Sequence, residues 1–315
     1  MMGDNTRHLT GLFRWTDPRG MAPEAGGLCV LGAPTDHGNV VLRGAAQGPA
    51  AIRHASGALD PPRNSGWDIG DIDRSDSPDP QPYMDRIGDA TRLVRGLGLV
   101  PLLLGGDHSI TYAPVSALSA ERDLRVIWLD AHTDFSPWSE QSHHNHKQVL
   151  RRISTLPGVG GIVQIGYRGI TIGDERRLGD GTRVVTSASA RLMSGEDLVA
   201  IVPDDLPCYI SIDIDVIDPV HAPGTSTPVP GGLSPEALAA FLRLLVRHRE
   251  VVGIDLTEVN PILDSGTTAT VAAGLVAAVA DHWDHQKSLL IGCAARTRIR
   301  SDEPAPLPSP GIAID

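Results

Sequence analysis

Aromatic side chains make up only 4% of this 315-residue chain, too few for the stacking platforms that hold single-stranded nucleic acid. Lysine is scarcer still: Lys147 and Lys287 are the only two, and arginine supplies the remaining positive charge. Acidic residues outnumber basic ones 38 to 27, a formal net charge of −11, which excludes a binder of the phosphate backbone. Such a surface instead mildly attracts small cations. The three cysteines, Cys29, Cys208 and Cys293, are far apart and lie in or beside apolar runs. They read as buried free thiols of a reducing compartment, not as a disulfide frame. No apolar stretch reaches the roughly 18 residues a membrane span needs, and Met1 to Trp15 lacks the apolar core of a signal peptide. A soluble, cytoplasmic protein with neither nucleic-acid nor membrane partners is expected.

Hydrophobic residues, 41% of the chain, are enough for a sizeable core. Short apolar runs alternate with longer helical patterns, the signature of a mainly parallel sheet covered by helices, a three-layer α/β domain. The expected strands are Leu28–Ala33, Val100–Leu104, Arg125–Leu129, Ile162–Ile165, Cys208–Ile212 and Val251–Leu256. Helical stretches are expected over Met84–Leu97, Pro235–His248 and Thr268–Trp283, with Ser234 as an N-cap before a proline at the first helical position. Gly48-Pro49 marks another start. Residues 1–25 and a proline-rich segment at 287–315 read as extensions flanking one domain at 26–286.

Polar clusters fall at strand ends, where open α/β sheets bind ligands. Gly105-Gly106-Asp107-His108-Ser109 follows one apolar run; the glycines allow a sharp turn that leaves His108 at the strand's carboxyl end. Taken alone, such a histidine is most often an ordinary loop residue. Asp130-Ala131-His132-Thr133-Asp134 follows another, and alternation along an extended segment puts Asp130, His132 and Asp134 on one face. Asp213 and Asp215 leave a third strand end together, while Asp218-Pro219 reads as a turn. Carboxylates at buried strand ends are costly without a cation. The pooled N/O ligand set suits Mn²⁺, Zn²⁺, Fe²⁺ or Ni²⁺, leaning to Mn²⁺, and its size fits two bridged ions.

Together and in order, these blocks resemble the ureohydrolase family of arginases, agmatinases and related guanidino hydrolases. The resemblance begins at Gly32-Ala33-Pro34 and Arg43-Gly44-Ala45. It runs through Gly48–Arg53, Gly70-Asp71, Ala222–Thr225 and Glu258-Val259-Asn260-Pro261 to the alanine-rich helix after Asp264. It implies two Mn²⁺ per chain, with His108 and Asp134 on one ion, His132 and Asp215 on the other, and Asp130 and Asp213 shared. A hydroxide held between the ions would attack the guanidinium carbon, oriented by Asp134, releasing urea and an amine. Glu258 matches the family glutamate that holds the guanidinium, and Thr227 a threonine that supports it by hydrogen bonding. His146 matches the proton shuttle, with His144 the other candidate register. The resemblance also implies a homo-oligomer, trimeric or hexameric.

Several departures bear on the substrate. Lys147 replaces the glycine that usually follows the shuttle histidine, and Ser226 replaces a glycine that bears on the pocket. The stretch Tyr167-Arg168-Gly169 lacks the aspartates with which arginases bind an α-amino group, and Arg168 joins the substrate-binding candidates. These features point to a linear guanidino compound without an amino-acid head, agmatine or an ω-guanidino acid such as 4-guanidinobutyrate. Lys147 favours the acid. A formimidoylglutamase, an N-hydroxyarginine or other biosynthetic amidinohydrolase, and a metal-retaining paralogue without catalysis are the alternatives.

Overall fold

The computed structural model describes residues 14–15, 25–39, 42–60, 66–74, 79–136, 144–168, 181–284 and 286. Most of both expected extensions lies outside them, as do Cys293 and His143. Nine strands follow in chain order: β1 Arg14–Trp15, β2 Leu28–Ala33, β3 Trp67–Asp71, β4 Val100–Gly105, β5 Leu124–Leu129, β6 Val159–Tyr167, β7 Thr182–Thr186, β8 Cys208–Asp213 and β9 Val251–Thr257. They form one sheet in the order β1-β3-β2-β4-β9-β8-β5-β6-β7. Each neighbouring pair is parallel. All six expected strands are present within a few residues of their expected ends.

A parallel sheet buried on both faces needs apolar residues at successive positions, and the central strands supply them. Along β2, Leu28 and Val30 enter one core while Cys29 and Leu31 enter another. On the first face lie helices Gly48–Ser56, Gly195–Ile201, Pro235–His248 and Thr267–Ala280. In Pro235–His248 the buried Leu238, Phe241, Leu242 and Leu245 recur at helical spacing, so the helix lays one stripe on the sheet. Its Ser234 hydroxyl caps the Ala237 N–H at 3.2 Å, as expected. Helices Gln81–Gly96, Tyr112–Ser119 and Val149–Ile153 cover the opposite face, completing three layers. Cys29 and Cys208 are buried free thiols, and burial pushes each up to about 12. No helix among the described residues is long and apolar enough to cross a membrane.

Candidate active site

The carboxyl ends of four adjacent central strands, β4, β9, β8 and β5, meet at one place, and each contributes a polar block. After β4 the chain passes Gly106, where a Cβ would stand 2.0 Å from the Thr35 carbonyl oxygen. Close approach of the loop after β2, rather than a sharp turn, is what requires glycine there. Asp107 then caps a short 3₁₀ turn, His108–Thr111. Its carboxylate accepts from the Ser109 N–H at 3.0 Å and the Gly38 N–H at 2.8 Å, tying two loops together.

The block after β5 does not continue as strand. Asp130, His132 and Asp134 converge through a loop in which Asp134 takes a φ of +47°, so the expected alternation of an extended segment is not what aligns them. Likewise only Asp213 ends β8; Asp215 sits in the 3₁₀ turn Ile214–Val216, which the Asp213 carboxylate caps through the Asp215 N–H at 2.8 Å. Glu258 follows β9 with a φ of +62°. Left-handed backbone at bulky acidic residues costs on the order of 1 kcal/mol or more and clusters at functional sites. Both residues here face the same cavity.

The six expected ligands come together. His108 Nδ1 lies 3.3 Å from Asp130 Oδ2, 3.3 Å from Asp134 Oδ2 and 3.1 Å from Asp213 Oδ2. His132 Nδ1 lies 2.9 Å from Asp215 Oδ2 and 3.5 Å from Asp130 Oδ1. Two groups of donors result, His108–Asp130–Asp134 and Asp130–His132–Asp215, sharing Asp130. Protons are drawn to this cluster. Burial opposes a charge on His132, yet the Asp130 and Asp215 carboxylates beside it hold it up to about 12. Burial and neighbouring Asp130 push Asp134 up to about 6. Burial with Asp215 and Asp130 alongside pushes Asp213 well above the carboxylate range. The surroundings therefore call for positive charge. His108 Nδ1 and Asp215 Oδ2 are both buried without a hydrogen-bond partner, an arrangement too costly to keep unless a cation takes those lone pairs. Imidazole and carboxylate donors at this spacing fit divalent ions.

A network behind His108 fixes which of its nitrogens faces the cluster. His108 Nε2 is 2.8 Å from Ser211 Oγ, which donates to Asp255 Oδ1 at 2.7 Å; Tyr209 donates to the other oxygen of Asp255 at 2.7 Å. Since Ser211 gives its one proton to Asp255, it must accept the Nε2–H, leaving the Nδ1 lone pair toward the carboxylates. Trp128 stacks on the imidazole with centroids 4.1 Å apart and donates its indole N–H to Asp130 Oδ2 at 2.9 Å. Such outer partners typically set metal affinity by about 10–100-fold. Ser211→Ala is accordingly expected to weaken divalent-ion binding about tenfold or more, measured by isothermal titration, and to lower the metal-free melting temperature as well, because the buried His108 Nε2–H and Asp255 Oδ1 lose their shared partner.

A cavity of about 410 Å³ opens over the cluster, lined by Asn39, His132, Thr133, Asp134, Ser136, His146, Lys147, Asp213, Thr227 and Glu258. Glu258 is buried, and its Oε1 accepts from the His108 N–H at 2.9 Å rather than from Thr227, which is exposed at the rim. Burial, reinforced by Asp107, pushes the Glu258 carboxyl up to about 8. His146 Nδ1 is buried without a hydrogen-bond partner, and desolvation lowers its pKa to about 4. The competing register is disfavoured by geometry: His144 is held between Gln81 Oε1 at 2.8 Å and Arg152 Nη1 at 2.9 Å.

Two further expectations need correcting. Arg168 does not line the cavity; its guanidinium is engaged by main-chain carbonyls of Gly166, Asp215, Val216, Ile217 and Val229. Ser226 is buried and donates to the Leu42 carbonyl at 3.1 Å, pinning a loop instead of reshaping the pocket. Sequence reasoning also missed Trp128, Ser211 and Asp255. The first two stand two residues before Asp130 and Asp213, positions that share a strand face with a ligand, and that spacing was the available signal.

The chain is similar to known proteins in sequence and in fold. The arginase family profile matches residues 27–280. Proclavaminate amidinohydrolase of Streptomyces clavuligerus is 34% identical over 280 residues, 81% of this chain and 87% of its own. A solved structure of that enzyme superposes with a TM-score of 0.76 at 31% identity, covering 87% of this chain and 96% of the other. A mitochondrial guanidino acid hydrolase of Homo sapiens is 34% identical over 81% of this chain and 78% of its own. Formimidoylglutamase of Bacillus subtilis superposes with a TM-score of 0.78 at 26% identity, over 88% of this chain and 90% of the other. With its fold, its strand-end acidic cluster and these similarities in agreement, the chain belongs to the arginase family, on its agmatinase-like branch.

Proposed function

We propose that the protein hydrolyses a linear guanidino compound to urea and an amine at a centre of two divalent ions, Mn²⁺ by its carboxylate majority. The observation that carries this reading is one cavity with a cation-seeking cluster on its floor and a buried glutamate beside it. His108 and Asp134 would hold one ion, His132 and Asp215 the other, with Asp130 and Asp213 shared. Bound there, the ions supply Lewis-acid polarisation and a water acidic enough to be nucleophilic near neutral pH. The chain does the rest. Glu258 pairs with the guanidinium and sets its carbon over the cluster, with Thr227 at the rim. Asp134 orients the attacking group through its carboxylate, and the neutral His146 ring relays a proton released by the attacking water, accepting on one nitrogen and giving up from the other, to the leaving nitrogen.

Lys147 bears on the far end of the substrate. Its side chain is exposed at the cavity, and the lining carboxylates Asp134, Asp213 and Glu258 belong to the reacting end. A distal carboxylate therefore meets a cation there, while a distal ammonium meets no carboxylate beyond those three among the described lining residues. Lys147→Ala is expected to lower kcat/KM for 4-guanidinobutyrate several-fold, consistent with about 1 kcal/mol for an exposed pair, and to leave agmatine unchanged or improved. Unchanged guanidinobutyrate turnover would remove the charge argument.

The reading is tested by loading the protein with Mn²⁺ and measuring urea from agmatine, 4-guanidinobutyrate, 3-guanidinopropionate, arginine and N-hydroxyarginine. Urea from one guanidino acid is the expected result; a preference for arginine would overturn the substrate assignment. The close superposition on formimidoylglutamase gives a second reading, identified by formamide release from formiminoglutamate. A single domain over 26–286 and a trimeric or hexameric assembly belong to the same proposal and are checked by limited proteolysis and sedimentation.

A further inference from the structure

Arg168 is the least expected polar group near the site. Its Nε donates to Val229 O at 2.9 Å, and its Nη1 to Gly166 O at 3.2 Å and Val216 O at 3.4 Å. Its Nη2 donates to Asp215 O at 2.6 Å, Ile217 O at 3.2 Å and Val229 O at 2.7 Å. One planar fork thus gathers three successive carbonyls, those of Asp215, Val216 and Ile217, at the end of the 3₁₀ turn that carries a ligand. Such carbonyls have no partner within the turn itself.

Asp215 is consequently tied at every polar atom but one. Its N–H donates to Asp213 Oδ1 at 2.8 Å, its carbonyl accepts from Arg168, and its Oδ1 accepts from the Ala131 N–H at 3.0 Å. Only Oδ2 is left, buried and 2.9 Å from His132 Nδ1. We propose that Arg168 is a positioning residue for the second ion: it sets the backbone of Asp215 so that Oδ2 and His132 Nδ1 converge on one point. This inference rests on the two-ion reading above and adds to it an asymmetry, because the clamp holds Asp215 directly and reaches the His108–Asp134 side only through the shared Asp213.

Arg168→Lys tests it, since an ammonium keeps the charge but cannot reproduce the fork. Asp218→Asn is the control. Asp218 holds the same loop through the Gly231 and Gly232 N–H groups at 2.7 and 3.0 Å without touching the Asp215 carbonyl. Manganese content after gel filtration and electron paramagnetic resonance give readouts independent of turnover. The wild type and Asp218→Asn should hold two ions with a coupled spectrum. Arg168→Lys should hold one, with an uncoupled spectrum and second-ion affinity weaker by about 10–100-fold. Two tightly held ions in Arg168→Lys, or equal loss in Asp218→Asn, would overturn the proposal. So would failure of Arg168→Lys to fold at saturating Mn²⁺, which would make the clamp a folding requirement instead. A wild type that holds fewer than two ions would overturn the two-ion reading itself, and this inference with it.

Discussion

Asp130→Asn is expected to abolish urea release, by at least about a thousandfold, with both ions lost. Removing one partner of a buried charged network costs roughly 3–5 kcal/mol, and Asp130 is the carboxylate common to both donor groups. Asparagine is nearly the same size, so the cavity is kept. What changes is donor and acceptor character: both carboxylate oxygens already accept, from the Trp128 indole and the His132 N–H. An amide nitrogen in either place sets donor against donor. The check is metal content after gel filtration, alongside melting with and without Mn²⁺. Ligand at a thousand times its dissociation constant stabilises a fold by about 4 kcal/mol, and that metal-dependent rise in Tm should vanish in the variant.

The second large effect separates binding of substrate from binding of metal. Glu258→Gln is expected to lower kcat/KM about a thousandfold while both ions remain bound. A buried carboxylate facing a cation contributes on the order of 2–5 kcal/mol, and about 4 kcal/mol corresponds to a factor near 10³. Glutamine can still accept the His108 N–H that Glu258 Oε1 accepts at 2.9 Å, so the turn carrying His108 keeps its place. Normal metal content with lost turnover would assign Glu258 to the guanidinium. Full activity would mean that the guanidinium is held elsewhere.

Much of this was legible before any coordinates. Buried parallel strands are apolar throughout and end abruptly, so Val100–Gly105, Leu124–Leu129 and Cys208–Asp213 announced themselves, and the polar blocks behind them could only lie at strand ends. The strands Trp67–Asp71 and Thr182–Thr186, next to one edge of the sheet and at the other, did not: Thr182–Thr186 is half-covered and Trp67–Asp71 carries two aspartates, so neither shows an unbroken apolar run. Arg168 was misread because its partners are main-chain carbonyls, which leave no mark on the residues that own them. Asp134 and Glu258 were found by type and place, but their left-handed backbones were not, since residues other than glycine seldom adopt them. The Asp255–Ser211–His108 relay spans three strands distant in sequence, and pairing order is not written locally.

That pairing order has a kinetic consequence. The ligand-bearing strands β4, β5 and β8 are separated in the chain by other elements, and in the sheet β9, the last of the described strands in sequence, stands between β4 and β8. Residue 108 cannot meet residue 213 until β9 has been placed between their strands. Closing such long loops is slow, because its entropy must be met before any contact rewards it. A pocket assembled from these strand ends is therefore expected to be completed late in folding, once β9 is in place. Ions that bind a pocket formed so late slow unfolding without hastening folding. Metal bound at such a site would act as a latch on a finished sheet, taken up after the chain has folded.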